Sequence, residues 1–339
     1  MKLIKTQDAV GHVLCHDITQ IIKGVTKDAR FLKGHIVQEE DIPVLLSLGK
    51  DHLYVFENDE TMMHENDAAR VLCDLCKNDY MNESEVKEGK IELRANIDGL
   101  FKVNKEKLYK VNHFGEMMIA SRHGNTKVLK NDKLAGTRII PLVIEKEKMA
   151  KIQKLCGKEP IFTLLPFKHK KVVIFTTGNE VYYKRIEDTF TPVIIDKLKE
   201  YDVEIIHHEI LEDNHQKLTT KILEYSSQAD IIICTGGMSV DPDDKTPLAI
   251  KNTQAQIISY GSPVLPGAMF MLAYLDHKVI MGLPGCVMYA KRTIFDLVLP
   301  RVMADDKITS EELAMLGEGG LCLNCPTCTF PNCGFGKGW

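Results

Sequence analysis

The chain has 339 residues, more than one domain usually contains, which predicts two or three domains. Hydrophobic residues make up 44% and charged residues 27%, the balance of an ordinary globular protein rather than a disordered one. The formal net charge of −4 argues against nucleic-acid binding, because proteins of that class usually present a basic face. Anionic small ligands remain possible, since backbone N–H groups and helix N-termini can hold them without net positive charge.

The sequence shows neither a secretion signal nor a membrane span. Residues 1–20 carry Lys, Asp and His where a signal peptide needs an apolar stretch. A membrane-spanning helix needs about 18 consecutive apolar residues, and no such run occurs. We therefore expect a cytoplasmic protein. Four of the ten cysteines lie after residue 320, and in a long chain this favours metal binding or burial over a disulfide framework.

The first predicted region, residues 1–168, is mixed α+β and in part β-rich. Acidic residues at 39–41 predict the start of a helix, and Gly49 suits its C-terminal end. A second helix is predicted over residues 65–78, because its apolar side chains recur on one side. Residues 91–144 alternate apolar with polar side chains, which predicts a small β-rich subdomain.

The second predicted region, residues 169–304, has a different pattern. Three largely apolar runs predict strands, at residues 172–175, 203–206 and 231–234. The second is interrupted by Glu204, whereas the first is continuous, as is typical of a strand buried on both faces. Helical segments separate these runs, and Thr191 and Pro192 suit the N-cap and first position of one helix. The alternation predicts an α/β domain with a doubly wound, mostly parallel sheet. Residues 305–339 form a third region, a tail rich in Gly and Cys.

The segment at residues 235–247 directly follows the third apolar run. Ligands of open α/β sheets bind beyond the carboxyl ends of the strands. Gly236 and Gly237 allow a close approach of the backbone to a ligand. Their N–H groups, together with the Ser239 hydroxyl, could hold an anion. The segment therefore predicts an anion-binding loop.

The end of this segment adds a helix start and carboxylates. Thr246 and Pro247 suit the N-cap and first residue of the next helix, whose dipole presents a positive end. Three carboxylates precede them: Asp241, Asp243 and Asp244. An anionic ligand and these carboxylates repel each other unless a cation such as Mg²⁺ bridges them, so an oxygen-ligated metal is predicted. The alternative is a strand-to-helix turn with solvated aspartates.

A second turn, residues 176–180, follows the first apolar run. Thr177 and Gly178 could present hydroxyl and N–H donors, and Glu180 could be a ligand or simply the first residue of a helix. Thr-Gly after a strand is common, so this turn carries weight only together with the first. Asp188 lies just before the predicted cap and could equally be a plain surface acid.

A third turn, residues 282–285, reads Gly-Leu-Pro-Gly. Pro284 and Gly285 cannot continue a central strand, so they predict a rigid turn into the last long helix. Residues 263–267 form another stiff loop that could line the same crevice. The alternative is that both are turns without a ligand.

Taken in order, these segments resemble the molybdopterin-binding domain. MoeA-type molybdopterin molybdenumtransferases, gephyrin and MogA/MoaB-type adenylyltransferases share that domain. The resemblance rests on residues 176–180, Asp188, residues 235–247, 266–267 and 282–285. Residues 9–14, 32–36 and 48–49 also resemble the start of MoeA-type proteins, which implies a homodimer.

The resemblance implies a three-layer α/β domain that binds the phosphate of molybdopterin, and an enzyme that inserts molybdate into molybdopterin or its adenylylated form. Asp244 and Asp188 take the catalytic acidic positions, with Asp244 acting together with Mg²⁺. Lys245 would offset negative charge. The implied ligand-binding positions are Thr177, Gly178, Glu180, Gly236, Gly237, Ser239, Lys245, Thr246, Pro284 and Gly285.

Five positions depart from the family pattern: Asn179, Phe190, Asp241, Cys286 and Met288. These departures favour a second hypothesis, a non-catalytic carrier that passes the finished cofactor to a molybdoenzyme. The MoeA-like N-terminal region favours the enzyme. A third hypothesis is a nucleotide-derivative hydrolase of the competence-damage type, which shares a similar domain.

The tail contains four cysteines: Cys322, Cys325, Cys328 and Cys333. Their spacings of two, two and four intervening residues could close around Zn²⁺ or an iron–sulfur cluster. The alternative is a disordered tail with free thiols. Few apolar residues follow residue 310, so the tail is expected to order only around a metal. Cys73 and Cys76 form another C-x₂-C pair, but they fall in a predicted helix and are interpreted as core.

Overall fold

The computed structural model describes residues 1–22, 24–56, 59–242 and 244–338. The chain divides into two compact units. The first comprises residues Met1–Asn96, Val103–Arg122 and Asn131–Thr163, and the second comprises Ile97–Lys102, His123–Lys130 and Leu164–Trp339. Within the described ranges, no helix has the length and apolar character needed to cross a membrane.

The elements up to residue 166 are mostly short strands. The strands are β1 (Lys2–Lys5), β2 (Ile18–Ile22), β3 (Thr26–Phe31), β4 (His52–Val55), β5 (Met62–His64), β6 (Met81–Glu83), β7 (Lys90–Ala95), β8 (Gly99–Val103), β9 (Met117–Ser121), β10 (Thr126–Val128), β11 (Lys133–Ile139), β12 (Val143–Glu145) and β13 (Phe162–Pro166). The helices are α1 (Asp41–Ser47), α2 (Glu65–Asp74), α3 (Lys105–Phe114) and α4 (Lys146–Cys156).

These strands form small sheets. The largest has four antiparallel strands in the order β6-β7-β11-β9, and the pairs β1-β4, β2-β3 and β5-β12 are also antiparallel. Strands β10, β8 and β13 form a separate three-stranded sheet. The predicted helix ending near Gly49 is confirmed as α1, and Gly49 has a φ of +74°. The second predicted helix is confirmed as α2 but ends at Asp74, and the sequence pattern missed α3 inside the β-rich stretch.

The second unit is built around one large sheet. Its strands are β14 (Lys170–Thr177), β15 (Val203–Leu211), β16 (Ile231–Thr235), β17 (Gln256–Tyr260), β18 (Met271–Leu275) and β19 (Lys278–Leu283). Its helices are α5 (Asn179–Tyr182), α6 (Phe190–Leu198), α7 (His215–Ser226), α8 (Thr246–Asn252), α9 (Ile294–Met303) and α10 (Ser310–Ala314). The strand order is β15-β14-β16-β19-β18-β17.

The sheet is mostly parallel, as the alternating pattern predicts. Strands β15, β14, β16 and β19 run parallel to one another. Strand β18 runs in the opposite direction and is antiparallel to both of its neighbours, β19 and β17. Consecutive residues of β14 point to opposite faces, so Val172 and Ile174 join one buried cluster while Val173 and Phe175 join another. Because both faces of the sheet are covered, the central residues of β14, from Val172 to Phe175, are all apolar and buried.

Helices cover both faces of this sheet and make the three layers that the family resemblance implies. Side chains of α6 and α9, such as Ile194 and Phe295, are buried in the first cluster. Side chains of α7 and α8, such as Leu218 and Ile250, are buried in the second. The fold class is therefore confirmed: a doubly wound α/β domain, preceded by a mixed α+β region.

Two local predictions are wrong. Helix α6 begins at Phe190, so Thr191 lies inside it and is not its N-cap. Likewise α8 begins at Thr246, with Lys245 at the N-cap position. In the tail, Leu313 and Phe335 are buried in the first cluster of the sheet domain.

Candidate functional site

The three predicted turns meet at one edge of the large sheet. In the parallel register Thr176 of β14 pairs with Thr235 of β16, and Thr235 pairs with Leu283 of β19. The carboxyl ends of these strands therefore lie side by side, which is where α/β sheets bind ligands. The structure thus brings together residues that are more than a hundred positions apart in the chain.

Buried hydroxyl groups join these strand ends. The Thr177 hydroxyl donates to the carbonyl oxygen of Thr235 at 3.2 Å and lies 3.1 Å from the Thr246 hydroxyl. The hydroxyls of Thr235 and Thr176 are 3.4 Å apart. All four side chains are buried. The hydroxyls of Thr177 and Thr246, predicted to face a ligand, thus contact each other beneath the loop and hold its two ends together.

The glycine turn packs tightly against β14. Gly236 and Gly237 have φ values of +78° and +52°, in the left-handed region that favours glycine. A Cβ atom on Gly236 would lie 2.0 Å from the carbonyl oxygen of Thr177. Met238 is buried, and its carbonyl oxygen accepts a hydrogen bond from the Tyr260 hydroxyl at 3.1 Å. The turn therefore has one conformation available, and only glycine fits at its first position.

The tip of the loop is accessible to solvent. Ser239 and Asp241 are exposed, and Asp244 is partly buried. The backbone N–H of Asp244 donates to the carbonyl oxygen of Asp241 at 2.9 Å, and the Lys245 ammonium donates to the carbonyl oxygen of Pro242. The predicted carboxylate Asp243 lies outside the described residues.

The charge of the Asp244 carboxylate affects the pKa of Tyr260, whose ring borders the same loop. Burial raises the pKa of the Tyr260 phenol, and the negative charge of Asp244 raises it further. Within the described ranges, no three His, Cys, Asp or Glu side chains are grouped so that they could share a metal ion.

Asp188 has a structural role that its motif does not predict. Its carboxylate accepts hydrogen bonds from the backbone N–H groups of Phe190 at 2.9 Å and Thr191 at 3.1 Å, so it caps the start of α6. The Thr191 hydroxyl lies 2.5 Å from the same carboxylate and 2.9 Å from Nε2 of His208. Burial lowers the pKa of His208, against the opposing effect of the nearby Asp188 carboxylate.

The turn after β14 is fixed by a residue that the sequence analysis missed. Gly178 has a φ of +144°, and a Cβ there would lie 2.8 Å from the Glu180 carboxylate. The backbone N–H of Asn179 donates to the Asp213 carboxylate at 2.9 Å, while the Asp213 N–H donates to the Asn179 side chain at 3.3 Å. Asp213 follows the end of β15 at the same sheet edge, and that position was the available signal.

Apolar side chains border the third turn. Pro284 is buried and Gly285 is exposed; a Cβ on Gly285 would lie 3.9 Å from the ring of Phe190. The Thr189 hydroxyl contacts the Met288 sulfur at 2.6 Å. The start of α6 is therefore in contact with the turn through residues that depart from the family pattern.

The four tail cysteines line a single cavity of about 280 Å³, here called the tail cavity. Cys322 and Cys333 are partly buried against the core of the sheet domain, whereas Cys325 and Cys328 are exposed. All four are free thiols. Lys291 and Arg292, from the connection between β19 and α9, line the same cavity. The pair Cys73 and Cys76 is buried in and next to α2, as interpreted from the sequence.

Comparisons with known proteins point to one family for the sheet domain. Residues 173–304 match the family described as "Probable molybdopterin binding domain", and residues 3–57 match a domain of unknown function. A molybdopterin molybdenumtransferase of Staphylococcus epidermidis is 28% identical over 121 residues, 34% of this chain and 29% of that protein. Its counterpart from Haemophilus influenzae is 28% identical over 145 residues, 40% of this chain and 35% of that protein. The chain thus spans about a third of the length of these curated relatives.

Other matches are shorter or more distant. A CinA-like protein of Fervidobacterium nodosum is 34% identical over 84 residues, 25% of this chain and 21% of that protein. Among solved structures, the molybdopterin biosynthesis enzyme MoaB of Thermus thermophilus aligns with a TM-score of 0.33 at 17% identity, covering 41% of this chain and 98% of that one.

Proposed function

We propose, from the match of residues 173–304 to the probable molybdopterin binding domain, that the chain binds molybdopterin in molybdenum cofactor biosynthesis and inserts molybdate into it or into its adenylylated form. The observation that carries the proposal is the glycine turn. Gly236 and Gly237 end the central strand β16 in a conformation held rigidly against β14. A preorganised turn of this kind can approach a phosphate group without an ordering cost.

The ligand would lie across the carboxyl ends of β14, β16 and β19. Its phosphate would bind at the backbone of Gly236 and Gly237 and at the exposed Ser239 hydroxyl. Glu180 and Gly285 are both exposed at the same sheet edge, so they could contact the rest of the pterin. Thr177 and Thr246 would support the loop from below.

The donor set fits Mg²⁺, which proteins usually bind through one or two carboxylates together with substrate phosphates. Asp244 would supply the carboxylate, and Lys245 adds a positive charge at the same loop. When bound, the cation would neutralise phosphate charge against the carboxylate of Asp244. Asp188 would act indirectly, by holding the start of α6 through its bonds to Phe190 and Thr191.

A second candidate is a carrier that binds the finished cofactor and delivers it to a molybdoenzyme. The contact between Thr189 and Met288 favours it, because an apolar thioether stands where the family has a polar side chain. Phe190, next to Gly285, adds a second apolar group at this side of the site. Apolar side chains at this side of the site favour retention of a bound molecule over binding of the charged molybdate ion.

Mass spectrometry of small molecules released from anaerobically purified protein tests the proposal. We expect a phosphorylated pterin, and turnover of added molybdate by the pterin-loaded protein supports the enzyme over the carrier. A nucleotide derivative instead of a pterin would indicate the hydrolase and contradict the proposal. Protein that holds no pterin after incubation with molybdopterin would contradict both candidates.

Asp244→Asn is expected to weaken molybdopterin binding in the presence of Mg²⁺ by roughly 10- to 100-fold, since a charge-assisted contact contributes about 1.5–3 kcal/mol. The measurement is the pterin retained after anaerobic gel filtration, with Mg²⁺ and with a chelator. Asp241→Asn, in the same loop, is the matched control and should bind like the wild type. Equal molybdopterin binding by Asp244→Asn and the wild type in Mg²⁺ would show that Asp244 does not contribute to the site.

We also propose that the three predicted parts have separate tasks: residues 1–168 in self-association, 169–304 in ligand binding and 305–339 in holding a metal centre. The first task rests on the MoeA-like segments near the N-terminus. We expect a homodimer at micromolar concentration, measured by sedimentation equilibrium of the whole chain. A monomer mass across that range would contradict the first assignment.

A further inference from the structure

The tail cavity carries the chemistry of a metal centre outside the molybdopterin site. Its four thiols are soft ligands that select thiophilic metals and iron–sulfur clusters. Three of them, Cys322, Cys325 and Cys328, follow one another at spacings of two residues, and Cys333 follows after four more. This run is close to the one with which bacterial ferredoxins bind clusters. We propose that the tail cavity holds an iron–sulfur cluster.

The loop that carries the thiols is pinned at both ends. At its start the backbone N–H of Cys322 donates to the carbonyl oxygen of Leu265 at 2.8 Å. At its end the N–H of Gly336 donates to the carbonyl oxygen of Gly319 at 2.9 Å, and Phe335 is buried in the domain core. The segment is therefore a closed loop on the sheet domain, and all four of its thiols line the tail cavity.

The arrangement of the thiols favours a cluster over a single zinc ion. Zn–S bonds of about 2.3 Å in a tetrahedron bring thiolate sulfurs to roughly 3.8 Å from one another. All four cysteines line one cavity of about 280 Å³, a larger space than a single tetrahedral ion occupies. A cluster spreads its four thiolates over several iron atoms, so its ligands surround a larger volume.

The walls of the cavity suit a negatively charged cluster. Four thiolates bring four negative charges, and Lys291 and Arg292 line the same cavity. The Arg292 guanidinium donates a hydrogen bond to the Asp296 carboxylate at 2.9 Å and another to Cys328. The guanidinium also lies 5.1 Å from the centre of the Phe330 ring. A cationic donor beside a ligand sulfur is one of the features that tune such clusters.

The test is reconstitution of the whole purified chain with ferrous iron and sulfide under anaerobic conditions. We expect iron and acid-labile sulfide in equal amounts, about two to four of each per chain, and a broad absorption near roughly 400 nm. Cys325→Ser and Cys328→Ser change exposed thiols, so both variants should fold and should lose most of the absorption. Cys73→Ala, which alters the other C-x₂-C pair, is the matched control and should retain it.

Two results would overturn the proposal. One is purified wild-type protein with about one zinc ion per chain that takes up no iron during reconstitution, which would indicate a closed zinc site. The other is equal iron and sulfide in the wild type and in Cys325→Ser and Cys328→Ser, which would place the cluster elsewhere. The molybdopterin-binding measurement is independent, because Asp244 and the tail cysteines belong to different loops.

Discussion

Replacing Gly236 with alanine is expected to abolish molybdopterin binding and to destabilise the sheet domain. The φ of +78° is strained for alanine, and the new Cβ would lie 2.0 Å from the carbonyl oxygen of Thr177. That oxygen belongs to the backbone of a buried strand and cannot move aside. Each effect costs about 1–3 kcal/mol, so the melting temperature should fall by several degrees.

The matched control for this variant is Gly49→Ala. Gly49 has a nearly identical φ of +74°, but a Cβ there meets no atom within 4 Å. It therefore measures the conformational cost alone and should leave molybdopterin binding intact. Thermal unfolding and pterin retention on gel filtration are the two readouts. If Gly236→Ala has the same melting temperature and the same molybdopterin binding as Gly49→Ala, the turn does not make this close contact with β14.

Ile232→Ala is expected to lower the free energy of unfolding by about 2–5 kcal/mol, the usual cost of truncating a large core side chain. Ile232 is fully buried in the middle of β16, where it pairs with Val173 on one side and Ile280 on the other. Denaturant unfolding of the ligand-free protein measures this free energy of unfolding. Well below the unfolding transition the variant should still bind molybdopterin, because Ile232 does not face the ligand edge.

Ile186→Ala provides the control for this prediction. Ile186 is 56% exposed, so the same truncation should change the free energy of unfolding by less than about 0.5 kcal/mol. Equal losses in the two variants would contradict the central position of β16 in the core.

Much of the site could be predicted from local sequence, because glycine and proline act through their own backbone. Glycine favours turns wherever it occurs in a chain, and Gly236 and Gly285 both follow runs of apolar residues. Parallel strands then place successive turns at one edge of the sheet, since each crossover returns the chain to the same end. The edge was therefore predictable without any knowledge of the contacts there.

Contacts between distant side chains could not be predicted in this way. Nothing local to Thr191 indicates that its hydroxyl would reach His208 on β15. The pairing of Asn179 with Asp213 likewise joins two loops that only the sheet register brings together. Such hydrogen bonds depend on distances of a few tenths of an ångström, which a residue pattern does not contain.

The sequence by itself determined the α/β alternation, the three turns and the four-cysteine tail, because periodicity and backbone-restricted residues act locally. Only the tertiary structure decided which hydroxyls, like that of Ser239, are exposed at the sheet edge and which, like those of Thr177 and Thr246, are buried against each other. It also decided that the tail is anchored. The few apolar residues of the tail are insufficient as a core of their own, but Leu313 and Phe335 complete a core that the sheet and α9 already provide.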